Sequence, residues 1–278
     1  MIKFSIVTPS YNQAKFIEET IESIWNQKGY FQIQHMVIDG KSSDETIKIL
    51  EKYSNLLHSG KFKVNCKKIE FKWISEPDKG QSDAINKGFK MANGDIYAYL
   101  NSDDAYCPKA FHTMEQEFER NKNADVIYGD YYEVDKNSKK IRYVKTRKFD
   151  RQILLNNGCF IGQPATFFKK EVYLKTGPFN EKYNYVMDYD FWCRASEKFS
   201  FNYLANKPLA NFRLHEKSKT VSQKNESWNE LRKVSLKNGG KFFSKIFIRR
   251  YRDPIFYWYQ NHISENLRKI VRPLVKFL

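Results

Sequence analysis

Carboxylates that could do chemistry sit in this 278-residue chain directly after short apolar runs. Asp39-Gly40 follows Gln34 to Ile38, and Glu76-Pro77-Asp78-Lys79-Gly80 follows Phe71 to Ser75. Asn101-Ser102-Asp103-Asp104 follows Ile96 to Leu100. Mg²⁺ and Mn²⁺ prefer carboxylate oxygens and need only one or two of them where phosphates complete the shell. Asp103 and Asp104 supply such a pair. Taken alone, Asn-Ser-Asp-Asp reads first as a solvated turn, because those residue types favour turns. Further along, Met187-Asp188-Tyr189-Asp190 offers carboxylates that could accept a proton, and Arg213-Leu214-His215 an imidazole that could bind a metal.

The elements around these residues can be read from the pattern. Phe4 to Thr8 is a β-prone run that stops at Pro9-Ser10-Tyr11-Asn12. Phe16, Ile17, Ile21, Ile24 and Trp25 recur at helical spacing, as do Ile47, Leu50 and Tyr53, and Ala84, Ile85, Phe89 and Met91. Asp83 and Asn86, three apart, share one face of that last helix. Alternating strands and helices predict βαβ units and a mostly parallel sheet, with ligands bound at the carboxyl ends of the strands. From about Ala105 the rhythm changes. A helix over Ala110 to Glu119 leads to a strand at Val126 to Asp130, which pairs as a hairpin with Ile141 to Val144. Phe167-Phe168 and a helix from Tyr189 to Lys198 follow, and no internal repeat is found.

The ordered series Thr8-Pro9-Ser10-Tyr11-Asn12, Asp39-Gly40, Glu76 to Gly80, Asp83 to Gly88, Asn101 to Asp104, Met187 to Asp190 and Arg213 to His215 resembles the family 2 glycosyltransferases of GT-A fold, especially those that build bacterial surface polysaccharides. The resemblance covers roughly residues 1 to 221. It implies a GT-A domain there, with a nucleotide-sugar-binding half over 1–104 and an acceptor half over 105–221. It implies an inverting, metal-dependent hexosyl- or N-acetylhexosaminyltransferase. The donor would be a nucleotide diphosphate-sugar, UDP expected and GDP or dTDP not excluded, and the acceptor a hydroxyl of a glycan or lipid-linked oligosaccharide. Asp103 would ligate Mn²⁺ or Mg²⁺, with His215 as a second ligand or a diphosphate contact. The family's metal motif often begins with an acid where this chain has Asn101, which leaves Asp103 as the direct ligand and Asp104 to orient it or touch the sugar. Thr8, Pro9, Tyr11 and Asp39 would line the base and ribose pocket, and Asp83 and Asn86 would either face the ribose and metal region or simply cap and solvate their helix. Asp188 would be the catalytic base, with Asp190 competing for that role or capping the helix. Relatives commonly carry an acid where this chain has Met187. Gln163-Pro164 resembles an acceptor-side loop or, equally, a turn before a core strand.

A net charge of +16 asks for an anionic partner. Much of the excess lies beyond Ser222, where Lys241, Lys245, Arg249, Arg250 and Arg252 interleave with Phe242, Phe243, Ile246, Phe247 and Tyr251. Residues 222–278 are expected to form a basic amphipathic helical tail. Its 240–278 part would either dock on an anionic membrane surface or pack on the catalytic domain. Four scattered cysteines form no CxxC pair, and no run approaches about 18 apolar residues, so a peripheral protein on the cytoplasmic face is expected. The amino terminus runs straight into a strand, without the pattern of a signal peptide. The rival class, a basic nucleic-acid- or membrane-binding protein without transferase activity, is disfavoured for nucleic acid by the acidic strand ends and the lack of a binding motif.

Overall fold

The computed structural model describes residues 1–216 and 224–248. The remainder of the expected tail, 249–278, lies outside the described residues, and so does most of the segment expected to dock on a membrane.

The first half alternates as the periodicity predicts: β1 (Lys3–Ser10), α1 (Ile17–Trp25), β2 (Gln32–Asp39), α2 (Thr46–His58), β3 (Lys68–Ser75), α3 (Gln81–Met91) and β4 (Ile96–Tyr99). β1 lies between β2 and β4, and β3 lies beyond β2, with every pairing parallel. Both faces of β1 are covered, so it is apolar on both: Phe4 and Ile6 face one core, Val7 the other. The first core takes the apolar stripes of α1 and α2, including Ile17, Ile21, Ile24, Trp25 and Leu50. The second takes Ala84, Ile85 and Phe89 of α3. Helix α3 sits so close to β1 that a β-carbon at Gly88 would come within 2.4 Å of Val7. A larger residue there would push the helix, and its amino-terminal loop, off the sheet.

The second half adds β5 (Ala105–Tyr106), α4 (Ala110–Arg120), β6 (Val126–Val134), β7 (Lys140–Val144), α5 (Arg151–Asn157), a short 3-10 turn (Gln163–Ala165), β8 (Thr166–Lys169), α6 (Lys170–Thr176), α7 (Met187–Ala195), β9 (Phe201–Arg213) and α8 (Lys224–Lys237). Among the described residues the sheet has nine strands, ordered β3-β2-β1-β4-β8-β6-β9-β5, with β7 on β6. β8 is antiparallel to both β4 and β6, β7 to β6, and β5 to β9. The α/β expectation holds, but the sheet is mixed rather than mostly parallel. Helical crossovers impose parallel pairing on the first four strands, whereas the β6–β7 return is a tight hairpin that needs none.

Helix α8 packs on α5 and α7. Val234 is fully buried, and the Ser235 hydroxyl donates to the Leu155 carbonyl at 2.7 Å.

Candidate active site

Parallel register brings the polar ends of β1 to β4 to one edge. The Gly40 amide bonds the Ser10 carbonyl at 2.8 Å, Glu76 N bonds Asp39 O at 3.0 Å, and Leu100 N bonds Val7 O at 2.9 Å. Asp39 is fully buried there. Its Oδ2 accepts from Ser42 N at 2.8 Å and Ser75 Oγ at 2.7 Å, and its Oδ1 from Ser42 Oγ. Beside it, a β-carbon on Gly40 would lie 2.8 Å from Asp78 Oδ2 and 3.4 Å from the Tyr11 ring. Glycine therefore lets Tyr11, which is exposed, and Asp78 close over the same spot. Asp78 carried no expected role. Nor did Ser10, whose hydroxyl is buried without a partner at the end of β1. Their place beside quoted strand-end motifs was the available signal.

The pocket residues divide. Pro9 is buried within β1, at the register position opposite Ile38. The Thr8 side chain is fully buried, and its Oγ1 lies 3.0 Å from His35 Nε2. Trp25 Nε1 donates to His35 Nδ1 at 3.0 Å, so Nε2 carries the proton and donates to Thr8. Burial pushes the His35 pKa down to about 3, so this chain is neutral and belongs to the core. Asn86 is engaged by the main chain of another segment. Its amide donates to Phe179 O at 2.8 Å and accepts from Phe179 N at 2.9 Å, which ties α3 to the segment before α7. Asp83 accepts from Lys79 N at 3.0 Å and pairs with Lys87 at 3.4 Å. Partial burial alone would raise its carboxyl, but these partners hold it below the ordinary range. It closes the turn that opens α3.

After β4 the two adjacent acids separate. Asp104 is buried, its Oδ1 accepting from Arg213 N at 2.9 Å and its Oδ2 from Asn101 Nδ2 at 3.3 Å. Burial, then the neighbouring Asp103 charge, push its carboxyl well above the usual range. Asp103 is partly exposed, and its Oδ2 lies 2.9 Å from His215 Nε2. The buried Arg213 guanidinium does not neutralise either carboxylate. It donates instead to Asp103 O at 2.7 Å, to Asp135 O, to Ser138 Oγ and to Glu19, while lying 5.0 Å over the Phe16 ring. That ring also stands 5.0 Å from the His215 ring. Asp103 has no Lys or Arg pairing to it among the described residues, so its partly exposed carboxyl, beside His215, is the acid of this pair open to a cation. Among the described residues no three His, Cys, Asp or Glu side chains gather to hold a metal by themselves. Asp103 and His215 make a two-ligand set that phosphate oxygens would have to complete.

The second acid pair lies on the first turn of α7. Asp190 is fully buried and pairs with Arg194 Nε at 2.8 Å; Arg194 also donates to Thr176 O and Pro178 O. Among the described residues Asp188 has no ion pair. It is partly exposed, accepts from Tyr189 N at 2.7 Å, and burial raises its carboxyl to about 6. Burial, and then the charge of Asp188, push the Tyr99 hydroxyl of β4 well above its ordinary value. Gln163 donates to Tyr99 O at 2.7 Å, which sets the Gln163-Pro164 turn against the same strand end.

The Glycosyl transferase family 2 model matches residues 5–177, more than half of the chain. An uncharacterized glycosyltransferase of Rickettsia conorii is 27% identical over 243 residues, covering 82% of this chain and 37% of its own length. One from Haemophilus influenzae is 28% identical over 226 residues, covering 78% and 70%. The chain therefore spans little more than a third of the Rickettsia conorii relative. Among solved structures, Staphylococcus aureus TarS 1–349 in complex with UDP-GlcNAc aligns with a TM-score of 0.67 at 17% identity, covering 95% of this chain and 77% of that one. The mannosyltransferase PcManGT from Pyrobaculum calidifontis, in complex with GDP-Man and Mn²⁺, aligns with a TM-score of 0.61 at 10% identity, covering 99% and 79%. At such identities the likeness bears on the fold, which is GT-A. By its family match, its fold and its ordered motifs, the chain belongs to glycosyl transferase family 2.

Proposed function

We propose that the protein transfers a sugar, with inversion, from a nucleotide diphosphate-sugar to an acceptor hydroxyl in glycan or surface-polysaccharide synthesis. The observation that carries this reading is the state of Asp188. It is the unpaired acid of α7, and burial brings its carboxyl to about 6, where it can take a proton near neutral pH. In a single displacement Asp188 removes the acceptor hydroxyl proton as the oxygen attacks the anomeric carbon. The bond from that carbon to the nucleoside diphosphate breaks, and the electron pair leaves with the phosphate. Asp39, Tyr11 and Asp78 surround the place for the base and ribose. Asp103 and His215 would hold a divalent ion against the diphosphate, with Mn²⁺ or Mg²⁺ supplying charge neutralisation to the leaving group. Binding it would require His215 to give up its hydrogen bond to Asp103.

UDP is the first donor nucleotide to test, since TarS was solved with UDP-GlcNAc, and GDP the second, since PcManGT was solved with GDP-Man. With α8 packed on the catalytic domain, residues 240–278 would be the part of the tail that docks on an anionic membrane surface, on the cytoplasmic side. Phe242, Phe243 and Ile248 are exposed beside Lys241 and Lys245, a composition suited to an anionic interface. The test is a thermal-shift panel of UDP, GDP, dTDP and CMP, each with Mn²⁺ or with EDTA. A ligand that binds only the native state raises stability by mass action. One nucleoside diphosphate should stabilise the protein in Mn²⁺ only, and Asp103→Ala should lose that response. No stabilisation by any nucleotide contradicts the reading.

A further inference from the structure

The segment before α7 has no strand or helix of its own, yet it carries Asp188 into place. From Phe179 to Val186 it holds itself by short local bonds, Tyr183 N to Asn180 O at 3.2 Å and Lys182 N to Asn180 Oδ1 at 3.1 Å. Its next two amides are held from a distance in sequence. Asn184 N donates to Glu230 Oε1 at 3.1 Å, and Tyr185 N donates to Glu230 Oε2 at 2.9 Å. One carboxylate on α8 thus takes two consecutive main-chain donors, a charge-assisted arrangement stronger than neutral bonds. The Tyr185 hydroxyl adds a bond to Glu226, one turn earlier on α8, at 3.2 Å. On the other side, Ser82 Oγ at the start of α3 lies 2.9 Å from Met187 Sδ. Met187, the residue before Asp188, is thereby clamped between α3 and the loop that α8 holds. Trp228 and Leu231 of α8 pack on the same core as Tyr183 and Tyr185. Both α8 and Asn184 to Asp188 lie beyond the 5–177 match of the family model.

We infer that Glu230 of α8 is a positioning residue, one that fixes the main chain at Asn184 and Tyr185 and so aims the Asp188 carboxylate at the acceptor. This rests on the reading of Asp188 as the base. The carboxylate touches no reacting atom in this account; it acts through the loop. The groups facing Asp188 are Tyr99 of β4, Cys159 before the 3-10 turn and Cys193 of α7. If the loop slackens, water reaches Asp188 among these groups, and the burial that raises its carboxyl diminishes. A displacement of about 1 Å at a catalytic group can cost up to roughly 100-fold in rate.

The test compares Glu230→Ala and Glu230→Gln with Val234→Ala, which removes packing on the same helix but none of its bonds to the loop. In the full chain, Glu230→Ala should lower kcat for donor turnover about tenfold and move the acid limb of the pH profile to lower pH. Glu230→Gln, which keeps one acceptor oxygen, should fall between it and wild type. Val234→Ala should lower the melting temperature while leaving kcat and the pH profile as in wild type. If Glu230→Ala behaves as Val234→Ala does, the inference is overturned. Hydrogen exchange of residues 183–188 reads the same claim without turnover: Glu230→Ala should speed exchange there and not in β1 to β4. Unchanged exchange overturns the inference even if no donor is found, whereas a wild type inactive with every donor overturns the transferase reading instead.

Discussion

Two acidic pairs, Asp103-Asp104 after β4 and Asp188/Asp190 on α7, use the same side chains for opposite ends. In each pair one acid is buried and structural, while the other is partly exposed. They differ in what balances the buried member. Asp190 has a guanidinium at 2.8 Å, so its charge is cancelled on the spot. Asp104 has only an amide N–H and an asparagine amide, while the nearby Arg213 guanidinium is turned to carbonyls, Ser138 and Glu19. Burial and the Asp103 charge therefore push the Asp104 carboxyl toward its protonated form, and Asp103 is the acid of the first pair left open to a cation. In the second pair the surviving acid, Asp188, is isolated from charge and tuned by burial toward neutrality. Adjacent acids suit metal and diphosphate; an isolated one suits a proton.

The largest expected effect comes from removing the isolated acid. Asp188→Asn should slow turnover by about 10²- to 10⁴-fold and leave the nucleotide-dependent thermal shift intact, as steady-state rates and melting curves will show. Loss of nucleotide binding in this variant would merge the two pairs into one site. Next is the buried partner. Asp190→Asn strands Arg194 and should cost about 3 kcal/mol in denaturant unfolding, while turnover per folded molecule persists. Asp103→Ala should abolish the Mn²⁺-dependent part of nucleotide stabilisation, worth about 2.7 kcal/mol at a hundredfold excess over Kd, without destabilising the ligand-free protein.

The smallest effect is on stability. Because the Asp188 carboxyl titrates higher in the folded chain than the ordinary value near 3.9, the folded state holds the proton longer. Its contribution is fully present below the unfolded value and is lost as pH rises toward about 6. Asp188→Asn should therefore be more stable than wild type at pH 7 by on the order of 2 kcal/mol, and the difference should vanish near pH 4 in urea titrations.

Much of the first half was legible because periodicity and local turn chemistry specify it. Asp39, Tyr11 and Asp103 follow strands whose apolar runs announce themselves, and parallel register then gathers them. The surroundings of the Thr8 and Asn86 side chains were hidden for one reason. Their neighbours in sequence are polar and motif-like, but their partners, His35 and Phe179, are set by packing across the sheet and between α3 and the α7 approach. β5, of two residues, and β9, with its Lys207-Pro208 interruption, offer no clear alternation, so the mixed half of the sheet was hidden. The choice between Asp188 and Asp190 also needed tertiary structure. Both stand on the first turn of α7, and only the placement of Arg194 against Asp190 separates them.

The central claim is that Asp188 is the group that takes the proton, and the pH dependence of donor turnover tests it most directly. With donor, acceptor and metal held fixed, kcat/KM should be flat above about pH 6 and fall about tenfold per unit below it. The residual activity of Asp188→Asn should lack that limb. A wild-type rate flat from about pH 5 to 8, or an acid limb that survives in Asp188→Asn, would contradict the account.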